Sequence, residues 1–258
     1  MNSARDTECW ARSVIRKQRM KSWAVSCLFG LGLLAQGLDA MAALLSFNSG
    51  ALNSAIPDND PNGIISTITV SGQTELITDL SVTLNLSGTS GFNGDFYAYL
   101  THDTLSGFAV LLNRPGKTSS NVLGTDGSGF TNVSFSDDAA NGDVHVYETT
   151  LGGTFSVGDA LTGSWAPDGR NVDPENVLDT DSRSALLGSF DGHIPNGDWR
   201  LFIADVASGG TLTLDDWSLD ITVSPVPEPH YALVTAVVLG GFAFRRFRTV
   251  LKQDVNEL

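Results

Sequence analysis

The stretch LSVTLNLS, residues 80–87, alternates without a break, with Leu80, Val82, Leu84 and Leu86 on one side and Ser81, Thr83, Asn85 and Ser87 on the other. A period of two puts successive side chains on opposite faces of a pleated chain, so this run predicts a strand with one buried face. A second run, WSLDITVS at 217–224, repeats the pattern with Trp217, Leu219, Ile221 and Val223 inward. Further strands are predicted at 64–70 (IISTITV), 95–102 (DFYAYLTH), 107–113 (GFAVLLN), 130–136 (FTNVSFS), 144–150 (VHVYETT) and 199–206 (WRLFIADV). Gly, Asp, Asn and Ser clusters, which supply turn conformations, separate them. Between 43 and 224 no apolar period of 3.6 is sustained over ten or more residues. About eight short strands without helices predict an all-β fold, a β-sandwich in preference to a closed barrel. The segment 158–196 is long and irregular, and a loop of that size is functional or held by something specific.

The two ends differ from this body. Residues 1–42 carry six basic side chains against three acids, then the apolar run AVSCLFGLGLLAQGL, then the small-residue site Ala40-Met41-Ala42. That order predicts a secretory signal peptide, cleaved by signal peptidase with Ala40 and Ala42 at the site and Ala43 the first mature residue. Met20, followed at once by Lys21, would begin a more ordinary signal than Met1 does. Both cysteines, Cys9 and Cys27, fall in this region, so the exported body is expected to be stable without a disulfide, through core burial or bound ions. The expected organisation is signal 1–42, linker 43–54, β-sandwich 55–224 and a tail 225–258.

The whole chain has a formal net charge of -14, but residues 43–224 hold five basic and twenty-three acidic side chains, a net charge of about -18. So negative a surface repels nucleic acid, whose binding needs Lys and Arg to displace counterions. Of the acids, twenty are Asp, a turn and loop former, which agrees with a loop-rich β domain. Several Asp groups raise the question of calcium. DNDPNG places Asp58, Asp60 and Asn62 at alternate positions before Gly63, like the start of a calcium loop, yet its twelfth position is Thr69 instead of Glu. Two more candidate groups are Asp137 with Asp138, and Asp173, Glu175, Asp179 and Asp181. Each is either an oxygen-ligand site or a set of solvated turns. Paired carboxylates would also suit glycoside hydrolysis, but with twenty-three acids some pair always exists, so that pattern singles out no catalytic residue. Tyr97, Tyr99 and Trp165 are candidates for stacking on sugar rings if exposed, with burial the competing fate.

Five stretches, IPDNDPNGIISTITVSG (56–72), GFNGDFYAYLTH (91–102), VLLNRPG (110–116), FSDDAANGD (135–143) and NGDWRLFIADVASGGTLTLDDWSLDI (196–221), resemble the P domain of the proprotein convertases in its bacterial exported form. The resemblance spans about residues 55–222. It implies a jelly-roll-type β-sandwich, of the kind that sits beside a subtilisin-like catalytic domain and stabilises it. No stretch here resembles that domain's Asp, His or Ser motifs, and the body's three histidines, His102, His145 and His193, lie in no nucleophile or metal motif. The chain is therefore expected to be no enzyme itself.

The tail resembles the PEP-CTERM sorting signal: Val226, Pro227, Glu228 and Pro229, an apolar segment 231–244, then Arg245, Arg246 and Arg248. The fourteen residues of this segment make a short helix of about 21 Å against a hydrocarbon core of about 30 Å. The segment is apolar all round and its arginines follow it, which suits a transient membrane stop with the body exported. The resemblance implies handling by an exosortase and delivery to the cell envelope, surface or extracellular matrix. The expected function is a non-catalytic exported surface or matrix protein. The alternatives are an accessory module for a separate subtilisin-like serine protease, or a carbohydrate-binding module for exopolysaccharide.

Overall fold

The two quoted runs pair with each other. In the computed structural model, which describes residues 42–224, the antiparallel register sets Trp217 opposite Leu84, Leu219 opposite Val82 and Ile221 opposite Leu80. All six are buried, so a single apolar seam runs through the middle of a sheet. The signal peptide with Ala40, the sorting residues Val226, Pro227, Glu228 and Pro229, the apolar segment and Arg245, Arg246 and Arg248 lie outside the described residues.

Ten strands build two sheets: β1 (Ala43–Asn48), β2 (Ser54–Ala55), β3 (Asp60–Val70), β4 (Ile77–Ser87), β5 (Phe96–His102), β6 (Phe108–Asn113), β7 (Phe130–Phe135), β8 (Leu161–Trp165), β9 (Gly197–Asp205) and β10 (Thr213–Val223). The larger sheet runs β1-β10-β4-β7-β8, with β2 also on β10, and the smaller runs β3-β9-β5-β6. Pairing is antiparallel throughout except between β7 and β8. The all-β sandwich expected from period-two patterning is the observed fold. Among the described residues no helix is long and apolar enough to cross a membrane.

Three local expectations are corrected. Residues 43–54, expected as a linker, supply β1 and β2, which line the outer edge of β10; Leu45 and Phe47 turn inward while Leu44 stays 64% exposed. Residues 144–150, expected as a strand, form a 3₁₀ turn at Val144–Val146 and a short helix, α1 (Tyr147–Leu151). Here the buried apolar pair is Val144 and Tyr147, three residues apart, the Asp143 carboxylate accepts the His145 N–H, and Gly152 at φ 67° ends the helix. Strand β8, hidden inside the 158–196 segment, has only Leu161 and Trp165 inward.

The core between the sheets holds Trp165, Trp199, Trp217, Tyr147, Phe96, Phe130, Phe135 and Phe190 in full burial. A buried indole leaves an N–H that needs an acceptor. Trp165 donates to the Thr162 carbonyl at 2.9 Å and Trp199 to the Pro195 carbonyl at 2.9 Å. Trp217, on β10 of the larger sheet, donates to Ser66 Oγ on β3 of the smaller at 2.9 Å. It thereby spans the sandwich. We expect Trp217→Ala to destabilise the fold by about 3–5 kcal/mol. Trp217→Phe, which keeps most of the volume but loses the cross-sheet hydrogen bond, should fall between the two in urea unfolding.

Candidate functional site

Past β8 the chain turns back along β6, where the Asp168 and Gly169 N–H groups donate to the Leu111 and Val110 carbonyls at 3.1 and 2.9 Å. This brings the Asp168 carboxylate, fully buried, into the centre of an ionic network. Its Oδ2 meets His145 Nδ1 at 2.8 Å and accepts from the Asn113 N–H at 3.2 Å, and its Oδ1 accepts from Arg170 Nη1 at 3.2 Å. Arg170 Nη2 reaches Asp143 at 2.8 Å and the Asp179 carbonyl at 2.8 Å. Arg183 donates to the Asp168 and Pro167 carbonyls at 3.0 and 2.7 Å.

The His145–Asp168 pair has the make-up of a base and its orienting carboxylate. However, His145 is fully buried, and Nε2, the nitrogen a base would offer to a nucleophile, faces the Lys117 carbonyl at 2.8 Å. Both ring nitrogens thus face acceptor oxygens, which calls for a hydrogen on each and a cationic ring. Burial is the largest influence on this histidine and lowers its pKa. The hydrogen bond and charge of Asp168, with the Lys117 carbonyl, outweigh it and hold the pKa above its ordinary value. The network is a staple for the 158–196 segment, which is therefore held by something specific.

The expected calcium residues do not meet. Asp60 Oδ1 accepts from the Asn62 backbone and side chain at 2.9 and 2.8 Å, a turn closed on itself. Asp173 and Asp181 likewise accept from the Glu175 and Leu178 N–H groups, each at 2.8 Å, and Asp179 contributes its carbonyl to Arg170. The Asp137 carboxylate caps the 3₁₀ turn Leu187–Phe190 through the N–H groups of Leu187 and Gly188 at 3.0 and 2.7 Å, and Asp138 takes no part in that cap. Among the described residues no three His, Cys, Asp or Glu side chains stand as a ready-made metal-binding group. Asp58, itself exposed, lies near two buried acids, Asp95 and Asp205. Burial pushes the Asp95 carboxyl up to about 6, against the pull of Arg114 and with Asp58 and Asp126 adding to the rise. Burial likewise lifts Asp205 to about 7, opposed by the Ala207 N–H and assisted by Asp95 and Asp58. Sequence patterning could not single out Asp95 and Asp205, since each is one acid at a strand end.

The solvent side of the smaller sheet carries the remaining unusual surface. Register places Ile65 beside Phe202 and Phe202 beside Tyr99, and Phe108 and Tyr97 pack around Tyr99 at centroid distances of 5.3 and 5.6 Å. Ile65 is 64% exposed and the rings are half-buried. Tyr99 and Phe202 stack at 4.6 Å and 17°, about the spacing of adjacent strands, so the rings stand upright and cover each other's faces. Trp165, the third aromatic candidate, is fully buried and takes no part in this surface.

No family model matches the sequence, and no curated protein matches it. Similar solved chains include two from Aeromonas sobria. One is the serine protease of Aeromonas sobria, at 17% identity and a TM-score of 0.37, over 76% of this chain and 29% of that one. The other belongs to the complex of the Aeromonas sobria serine protease with the chaperone ORF2, at 17% identity and a TM-score of 0.36, over 77% of this chain and 29% of that one. The chain thus spans under a third of the length of either solved chain.

Asp168→Asn keeps the shape of the staple but removes the charge that balances His145 and Arg170, and is expected to cost about 3–5 kcal/mol in chemical unfolding. His145 supplies a pH signature. Its folded pKa lies above the ordinary 6.5, so its stabilisation is fully present below about pH 6.5 and is lost as pH rises through the folded value. The stability advantage of wild type over His145→Gln should therefore shrink as pH rises above about 6.5. An advantage that did not change with pH would mean that the folded and unfolded pKa values of His145 coincide.

Proposed function

We propose that this chain is a non-catalytic exported module that docks a protein partner through the aromatic face of its smaller sheet, at the cell envelope or in the extracellular matrix. The observation that supports docking is the row Ile65, Phe202, Tyr99, Phe108, set on the solvent side of strands whose other side is core. Outward positions of a half-buried strand are ordinarily polar. Gathered aromatic residues are the composition of protein interfaces. The upright stacking of Tyr99 on Phe202 favours a protein over a sugar, because a sugar ring needs a free aromatic face to lie on. The P-domain resemblance supplies the class of partner, a separate exported subtilisin-like protease, which makes the chain an accessory module. Export and sorting rest on the signal at 1–42 and the tail at 225–258, with signal peptidase and an exosortase as processing enzymes and the membrane as a transient stop.

Two variants test the reading. Removing residues 226–258 is expected to shift the body from the envelope fraction to the medium, and an unchanged distribution would sink the sorting step. Tyr99→Ser with Phe202→Ser should leave the Tm within a few degrees, because both side chains lie on the outer face. In co-purification it should abolish recovery of the body with the exported protease. If the pair of changes instead abolished retention on purified exopolysaccharide, the carbohydrate reading would replace this one.

A further inference from the structure

His102, the last residue of β5, has a side chain fully shut off from solvent. Its ring stands edge-to-face with Trp199 at 4.8 Å and 81°. Gly197, at φ 137°, lies so close that a Cβ there would collide with both the ring and the Asp103 carboxylate. Nε2 is on the side of the Pro195 carbonyl, which already accepts the Trp199 indole N–H at 2.9 Å. Nδ1 faces the turn that leads out of β5. It accepts from the Thr104 and Leu105 N–H groups at 3.2 and 3.3 Å, with Thr104 Oγ1 also at 3.3 Å. Among the described residues the backbone of 104–107 makes no other hydrogen bond. The imidazole therefore closes the turn from β5 to β6, aided by the partial burial of Leu105 against the core.

The same nitrogen lies 3.2 Å from Asp103 Oδ1, which is held in place by the Asp198 N–H at 3.1 Å. Nδ1 thus has two backbone donors and one carboxylate acceptor within reach. A bare Nδ1 accepts from the two N–H groups and repels the carboxylate. An Nδ1 that carries a proton can only donate, so it suits the carboxylate and turns both N–H groups away. The charged groups that act on the ring are Asp103 from the turn itself and Asp198 and Arg200 from β9. Burial is the largest influence and, with Arg200, holds this histidine below its ordinary 6.5, against Asp103, the Pro195 carbonyl and Asp198. The neutral, turn-closing form is therefore the folded one near pH 7.

We propose that His102 is a proton-operated latch: neutral, it closes the 103–107 turn, and protonated, it exchanges Thr104 and Leu105 for Asp103 and lets the turn open. The turn leads straight into Phe108, whose ring packs on Tyr99 at 5.3 Å, so opening loosens one end of the aromatic row. Acid then weakens docking at that row, a consequence that rests on the docking reading, whereas the latch itself does not. An opened His102 titrates at about 6.5 and a closed one lower, so the closed turn loses stability as pH falls through that value.

The test is hydrogen–deuterium exchange of the full chain at about pH 7 and pH 5.5, read on peptides spanning 103–107 and corrected for the intrinsic rate at each pH. In the wild type, exchange at Thr104 and Leu105 is expected to quicken in acid by up to about tenfold, the limit set by working one unit below the opened value. His102→Asn, which puts an amide oxygen near the place of Nδ1 but takes up no proton, should show no quickening. His193→Asn should show it in full. Continued protection of β10 in each variant reports that the sandwich is folded. Equal exchange at the two pH values in the wild type, or quickening that survives His102→Asn, overturns the latch. Recovery of the exported protease at the same two pH values keeps the two readings apart. Loss in acid for the wild type but not for His102→Asn supports both, and no recovery at either pH defeats docking while exchange still decides the latch.

Discussion

Burial of Trp217 at the crossing of the two sheets is the constraint on which the rest of the sandwich depends. Its ring occupies the inward face of β10 opposite Leu84, and its N–H reaches Ser66 on β3, so one side chain fixes both a register within a sheet and a contact between sheets. A register slip of one residue would turn every inward residue of β10 to solvent. The irregularity between Leu214 and Asp216 guards against that. Leu214 and Trp217 lie three residues apart yet both face the core, and the extra residue of a bulge restores the alternation between them. With β10 fixed, β4 follows on one side and β1 and β2 on the other.

A second constraint comes from what the described body lacks. It has no cysteine, so no disulfide clips its longest irregular segment, and hydrophobic contact does that only in part. Asp168 and its partners do the remainder. A buried ion network is a poor source of net stability, since desolvation offsets much of the attraction, but it is intolerant of alternatives because every partner left behind is an uncompensated charge. The staple therefore specifies one path for the segment between β8 and β9. That path covers the outer side of β6, whose Val110 and Leu112 are fully buried.

Sequence periodicity reached the sandwich because most strands have one wet face and one dry one, and Leu80–Leu86 and Trp217–Val223 are the cleanest cases. It failed where burial had another cause. VHVY reads as alternation, but Val144 and Tyr147 are buried from a helical turn. LTGSW of β8 carries Gly163 at φ 91° and too few β-forming residues to stand out, and its parallel pairing to β7 is a property of the tertiary fold. Acid spacing along the chain picked Asp60, Asp173 and Asp181, whose closeness in sequence is what lets each close its own turn. Asp95 and Asp205, whose burial raises their pKa, are separated by whole strands, and no local window contains both.

The two outer faces of the sandwich obey the same alternation and yet differ in chemistry. The larger sheet shows Ser81, Thr83 and Asn85 to solvent along β4, whereas the smaller shows Ile65, Phe202 and Tyr99. Folding alone does not require this, because outward positions of a solvated strand add little to stability compared with the core. An uncovered aromatic face also invites self-association. In this body the net charge of about -18 opposes it, because two copies meeting face to face would bring like charges together. Acidity and aromaticity then act as a pair. The charge opposes pairing of like copies, and under the proposed docking a partner's rim would carry the opposite sign, as electrostatic complementarity at interfaces requires.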